Sequence, residues 1–278
     1  MPKTPSSPIL ASALFPELRA ALLDVLRPLT AAQWETPTVC AGWSVKDVAL
    51  HILGDDLGSL SRRRDGFSRQ HRQFDGWDDR VQWLNEQNEL WVQATRRFSP
   101  PLLCDLLRLS GAWFYAYVAA LDPYQLGGPV SWAGSDPAPV WLDIAREYTE
   151  YWLHQQHIGD ALGFTSLKER RFFQPVVDTF ARAMPYTYRD VVAEAGTTVT
   201  LILTGVAGDQ WFLVRENGRW VLYAEVDTPS DCVITLPAEI AWRLFTKGLT
   251  HAEARPHAQI EGRAELAEPI FQMVSIIA

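Results

Sequence analysis

The hydrophobic pattern of this 278-residue chain changes near Gly163 from helical spacing alone to a mixture of strands and helices, and that change restricts the folds that the chain can adopt. Before Gly163, apolar residues recur at helical spacing over residues 9–29, 45–57, 77–98, 102–121 and 148–163. After it, β-rich segments cover residues 197–204, 210–216, 220–225, 232–236 and 257–261, with Asn217-Gly218 typical of a hairpin turn. Helical spacing returns over residues 237–247 and 264–277. We therefore expect a four-helix bundle over residues 1–165, followed by a smaller α+β domain over residues 166–278.

Charge and composition disfavour several classes of protein. The net charge is -8 and the basic residues form no run longer than Arg62-Arg63-Arg64, so we expect no nucleic-acid or anionic-membrane partner. The N-terminus lacks a signal-peptide pattern and no eighteen apolar residues follow one another, which predicts a soluble, cytoplasmic protein. Three cysteines lie far apart without a Cys-x-x-Cys pair. Any bound metal should therefore be held by histidine and carboxylate.

Residues 148–163 carry Glu150, His154 and His157 within two turns of a predicted helix. Residues four apart lie on one helix face, so Glu150 and His154 point the same way and can bind one ion together. A carboxylate and an imidazole at this spacing are half of a transition-metal site, although a solvated polar stripe explains the same spacing. His51 leans toward the packed side of an earlier helix, where a histidine is usually satisfied by one hydrogen bond.

Two segments, WETPTVCAGWSVKDVALHILGD and EYTEYWLHQQHIGDALG, match the signatures of a known family. The first has a connector with tryptophan, proline and Gly-Trp that enters a helix with an Asp-Val-x-x-His run, here Trp34, Pro37, Gly42, Trp43, Asp47, Val48 and His51. The second has Glu-x-x-x-His and a helix end of small residues, here Glu150, His154, Ala161 and Gly163. Both resemble the mycothiol-dependent maleylpyruvate isomerase family, which itself resembles the DinB-like metal-binding bundles. The C-terminal part is similar to the sterol-carrier-like domain of that family.

The resemblance implies a metal site with the ligands His51, Glu150 and His154, filled by zinc or another divalent ion such as nickel. It also implies a low-molecular-weight thiol such as mycothiol as co-substrate and a small electrophile as substrate. The residue three after the last histidine is often aspartate in the family, whereas this chain has His157. The family uses a C-terminal arginine toward its substrate. Arg243 and Arg263 are the tentative catalytic counterparts, and a charge on an exposed surface explains either one as well.

The predicted ligand set leaves an open coordination position, as in catalytic zinc sites. Such an ion can ionise water for hydrolysis or hold a thiol as thiolate, and the residues do not choose between the two. For hydrolysis, Asp55 and Asp56 are candidate general bases, although surface acids would look the same. Three hypotheses stay open: a thiol-dependent isomerase or transferase, a metal-dependent hydrolase, and a non-catalytic metal-binding module with a ligand- or partner-binding C-terminal domain. The native metal, the thiol, the electrophile and the oligomeric state are not determined by the sequence.

Overall fold

The computed structural model describes residues 3–67 and 72–275. The chain forms two compact units that are each assembled from separate stretches of sequence. Ala11–Asp122 and Glu150–Leu167 make up the helical unit, and Met1–Leu10, Pro123–Thr149 and Lys168–Ala278 make up the sheet unit. A helical region followed by an α+β region confirms the predicted fold class. The division into domains at residues 165 and 166 stays a prediction.

The helical unit consists mainly of α-helices. They are α1 (Phe15–Leu26), α2 (Ala31–Trp34), α3 (Val45–Ser59), α4 (Trp77–Thr95), α5 (Pro100–Ala119) and the part of α6 (Val140–Leu162) that follows Thr149. At the start of α3, Ser44 accepts a hydrogen bond from the backbone of Asp47, and the Asp47 carboxylate accepts one from the backbone of Ser44. A π-helical turn, Leu60–Arg64, continues α3. These caps fix where α3 starts and therefore which way its side chains face.

Aromatic rings join three helices in the interior of the helical unit. Phe15 of α1, Phe114 of α5 and Tyr151 of α6 pack with ring centroids 5.4 to 5.5 Å apart, and each is at most 5% exposed. Burying one such side chain contributes about 1.5–3 kcal/mol. On α3, Val48 and Ile52 are equally buried. This packing holds the helical unit together around α3 and the second part of α6.

Two glycines on α3 should respond to alanine in opposite directions. A Cβ at Gly54 would lie 2.7 Å from Nε1 of Trp91, and that ring is held by a 2.7 Å hydrogen bond to the carbonyl of Leu50. We expect Gly54→Ala to lower the free energy of unfolding by about 1–3 kcal/mol through overpacking, which outweighs the helix-propensity gain. Gly58 is exposed with nothing within 4 Å of a Cβ, so Gly58→Ala should raise it by about 0.5–1 kcal/mol. Urea unfolding measures both, and a Gly54→Ala chain as stable as the wild type would contradict the packing.

The sheet unit contains a six-stranded sheet in the order β1-β4-β3-β2-β5-β6. Its strands are β1 (Lys3–Pro5), β2 (Thr198–Thr204), β3 (Asp209–Glu216), β4 (Arg219–Val226), β5 (Cys232–Pro237) and β6 (Gln259–Gly262). Strands β2 and β5 pair in parallel and the other neighbours pair antiparallel. Its helices after α6 are α7 (Arg170–Ala181), α8 (Met184–Thr187), α9 (Ala238–Phe245) and α10 (His251–Ala254). Asn217 and Gly218 both have positive φ, which confirms the predicted hairpin between β3 and β4.

Two local features differ from the sequence-based expectation. The helix predicted over residues 264–277 is wrong: residues Ala264–Leu266 and Glu268–Gln272 form short 3-10 turns, and residues 276–278 lie outside the described range. Pro269 explains the break, because it cannot donate a backbone hydrogen bond within a longer helix. Strand β1 is missing from the prediction, since three residues that include a proline give no period to detect.

Candidate metal centre

His51 on α3 and His154 on α6 face each other inside the helical unit. Their Nε2 atoms are 3.1 Å apart, and the side chains are only 10% and 12% exposed. The two rings meet edge to face at 4.6 Å. Two nitrogens that each lie about 2.0–2.1 Å from one zinc ion are separated by roughly this distance. The structure thus brings together the two histidines that the sequence places 103 residues apart.

Two carboxylates lie beside this histidine pair, each four residues from one of its members. Glu150 Oε2 is 3.9 Å from Nε2 of His154, and Asp55 Oδ2 is 3.1 Å from Nε2 of His51. His51, Asp55 and His154 offer ligand atoms that all lie within 4.8 Å of one another, and Glu150 is not part of that group. Asp55 is therefore a second carboxylate candidate beside Glu150, whose role as ligand stays a prediction.

The protonation state of the histidines suits metal binding. Burial lowers the pKa of His51 to about 4, and the neighbouring carboxylate of Asp55, which is 37% exposed, does not offset this effect. Burial, reinforced by His51 and His157, lowers the pKa of His154 well below its usual value. Neutral imidazole is the form that binds a metal ion, so both ligands are available at neutral pH. Nδ1 of His154 is buried and has no hydrogen-bond partner within the described part of the chain. The donor set therefore fits a divalent ion.

Asp56, the next residue on α3, belongs to a different environment. It is fully buried and accepts hydrogen bonds from Arg19, Ser110 and Tyr151, with Arg19 Nη2 2.9 Å from its Oδ1. The interpretation of Asp56 as a surface acid is wrong, because the acid pairs with a buried arginine. Burial raises its pKa, and the charge of Arg19 and the three hydrogen bonds oppose that rise. This network joins α1, α3, α5 and α6 and so helps to fix the separation of the two helices that carry His51 and His154.

The connector before α3 covers the other side of His51. The Trp43 ring lies 5.1 Å from the His51 ring, and its Nε1 donates a 2.7 Å hydrogen bond to Glu89 on α4. Trp43 also lines an open cavity of about 570 Å³ together with Pro37, Lys46 and Arg96. Its volume lies in the range of small-molecule sites. Arg96 is paired with a carboxylate there, since its Nε is 2.9 Å from Asp47 Oδ1.

Cys40 and His157 form a pair that sequence reasoning missed. Cys40 Sγ lies 3.2 Å from Nδ1 of His157, one turn after His154 on α6. The backbone of Trp43 donates to the Cys40 carbonyl in a turn that Gly42 completes with positive φ, but this local turn does not indicate a partner on α6. Burial raises the pKa of the half-buried Cys40, so its sulfur is a neutral thiol when no ion is bound.

The two tentative catalytic arginines both lie in the sheet unit. Arg243 on α9 is half-buried, with its guanidinium 4.2 Å from the centre of the Trp242 ring. Arg263 is exposed and its Nε is 2.8 Å from Glu265 Oε1. A substrate-binding role for either arginine stays a prediction.

No described helix is both long enough and apolar enough to cross a membrane.

No curated protein is similar enough to match the chain. Among solved structures, the mycothiol-dependent maleylpyruvate isomerase is 12% identical, with a TM-score of 0.48, covering 84% of this chain and 86% of its own. Sterol carrier protein 2 from Yarrowia lipolytica is 15% identical, with a TM-score of 0.28, covering 39% of this chain and 96% of its own. The sterol carrier protein 2 like 2 from Aedes aegypti is 18% identical, with a TM-score of 0.28, covering 35% and 95%. The family described as mycothiol maleylpyruvate isomerase N-terminal domain matches residues 15–159, more than half of the sequence, and the chain therefore belongs to that family.

Proposed function

We propose that this protein is a zinc-dependent, or other divalent-metal-dependent, enzyme that uses a mycothiol-like thiol to isomerise a small electrophile or to transfer sulfur to it. The observation that carries the proposal is the pair of buried, neutral imidazoles whose Nε2 atoms lie 3.1 Å apart on two helices. Membership of a family named for mycothiol and maleylpyruvate supports the thiol and the substrate class.

His51, His154 and the carboxylate of Glu150 would hold the ion. When bound, a divalent ion keeps a coordinated thiol deprotonated at neutral pH. Packing on both sides keeps the two imidazoles neutral and fixed, so they need no reorganisation before they bind. Asp55 is the partly exposed acid at this end of α3, and its Oδ2 can take the proton that the thiol releases and pass it to water. The cavity beside Trp43 provides space for a small electrophile in the same unit.

A metal-dependent hydrolase would use the same histidines, so the dependence on thiol separates the two reactions. Metal content by elemental analysis and turnover of maleylpyruvate with and without mycothiol should be measured on the wild type, His51→Ala and His154→Ala. His257→Ala is the matched control, because His257 is exposed in the sheet unit.

We expect at least about one zinc or nickel ion per chain and thiol-dependent turnover in the wild type and in His257→Ala. Turnover should fall to background in His51→Ala and His154→Ala, because each variant removes one of the three residues that would hold the ion. A wild-type chain that binds no divalent metal after reconstitution would refute the proposal. Metal-dependent hydrolysis without any thiol would favour the hydrolase instead.

A further inference from the structure

A second group of possible ligands adjoins the histidine pair. Cys40, His154 and His157 each offer one atom, and the three atoms lie within 4.8 Å of one another. Cys40 lies in the connector before α3, and the two histidines lie one turn apart on α6, with ring centroids separated by 5.5 Å. The closest approach is the 3.2 Å between Cys40 Sγ and His157 Nδ1. The group therefore has the same compactness as the one formed by His51, Asp55 and His154.

The unsatisfied nitrogen of His154 points to a missing partner. Its Nε2 approaches His51, whereas its Nδ1 is buried without a hydrogen-bond partner among the residues described. A buried polar atom that lacks a partner costs about 1–3 kcal/mol, which makes such atoms rare in the absence of an ion, a water or a ligand. The group that contains His51 thus accounts for Nε2 of His154 and leaves Nδ1 without a partner.

We propose that Cys40, His154 and His157 form a second metal position, which takes a thiophilic divalent ion such as zinc. One thiolate and two imidazoles are a softer set than two imidazoles and a carboxylate, so this position should prefer zinc, cobalt or cadmium over harder ions. On binding, the Sγ–H bond breaks, the sulfur keeps the electron pair and bonds to the ion, and the proton goes to water. The two positions share His154, so His154→Ala should disable both. The neutral His154 ring has one nitrogen lone pair to donate, so filling both positions at once requires that the ring also release its N–H proton to water.

This inference does not rest on the thiol chemistry proposed above, and the two can fail separately. The alternative is a plain hydrogen bond between the Cys40 thiol and His157. Cobalt(II) distinguishes them, because a cobalt ion bound to thiolate shows a near-ultraviolet charge-transfer band that one bound only to nitrogen and oxygen lacks. The cobalt experiment is done in the His51→Ala variant. This substitution removes a ligand from the group of His51, Asp55 and His154 and leaves Cys40, His154 and His157 in place.

In His51→Ala we expect about one cobalt ion per chain, together with the charge-transfer band. Adding Cys40→Ser should abolish the band and weaken cobalt binding at least about 100-fold, since a lost direct ligand should cost more than a lost outer-shell partner. Adding Cys104→Ser should leave the band unchanged, because Cys104 is a buried cysteine of the same unit outside the group. Cobalt that binds to His51→Ala without the band, or no cobalt binding to it at all, would overturn the proposal.

A second measurement needs no substitution and covers the case in which a variant fails to fold. The wild-type chain is treated with iodoacetamide in the presence of zinc or of a chelator, and alkylation of each cysteine is followed by mass spectrometry. Zinc should slow alkylation of Cys40 at least tenfold without changing that of Cys104 or Cys232. Equal rates at Cys40 under both conditions would show that its sulfur does not bind the ion.

Discussion

Asp56→Ala should lower the free energy of unfolding by about 3–5 kcal/mol, because it leaves the guanidinium of Arg19 buried without its counterion. Asp56 is fully buried, Arg19 is 8% exposed, and the two are joined at 2.9 Å. The substitution also removes the acceptor for Ser110 and Tyr151, whose hydroxyl groups come from two other helices. Breaking a buried network of hydrogen bonds and ion pairs is one of the mechanisms that produce unusually large losses of stability.

Urea unfolding followed by circular dichroism measures this loss. Asp24→Ala is the matched control, since Asp24 is an exposed helical aspartate and its loss should change stability by less than about 0.5 kcal/mol. Combining Asp56→Leu with Arg19→Met should restore most of the stability, because no buried charge is then left alone. A loss below about 1 kcal/mol in Asp56→Ala would mean that the network does not hold the helices together.

Glu150→Gln should weaken metal binding by more than about 100-fold, because the proposed site uses its carboxylate as a direct ligand. Outer-shell partners are typically worth about 10–100-fold in metal affinity, so a lost ligand should exceed that range. The amide of glutamine keeps the size of the side chain, and Glu150 is 22% exposed, so folding should be unaffected. Competition with a chromogenic chelator measures the affinity.

Asp55→Asn is the natural comparison, because Asp55 lies 3.1 Å from the other histidine. As an outer-shell group it should cost about 10–100-fold. A larger loss in Asp55→Asn than in Glu150→Gln would reverse the two roles and make Asp55 the ligand. In that case the ion would bind to His51, Asp55 and His154, whose ligand atoms all lie within 4.8 Å of one another.

Local sequence patterns predicted much of the fold and less of the candidate site. Capping residues such as Ser44 and the Asn217-Gly218 turn act on their own neighbours, so their effects can be predicted from a few adjacent residues. The prediction of a final helix over residues 264–277 was wrong because Pro269 interrupts an apolar spacing that otherwise fits a helix.

Contacts between distant parts of the chain were harder to predict. Local spacing does not reveal the partner of Asp56, because the buried Arg19 that pairs with it lies 37 residues away. The pairing of Cys40 with His157 spans 117 residues and depends on how the connector folds back onto α6. The prediction that His51 and His154 lie together came from the family resemblance and not from helical spacing.

The adjacent positions of Asp55 and Asp56 limit how helix α3 can change during evolution. Each residue advances an α-helix by about 100°, so inserting or deleting one residue between His51 and Asp56 would turn one of these two side chains away from its neighbours. Asp55 would lose His51, or Asp56 would lose Arg19. Point substitutions can adjust either contact gradually, whereas a change of length breaks at least one of them outright. Relatives of this chain should therefore vary in length in the connecting segments and keep the length of α3 between these residues.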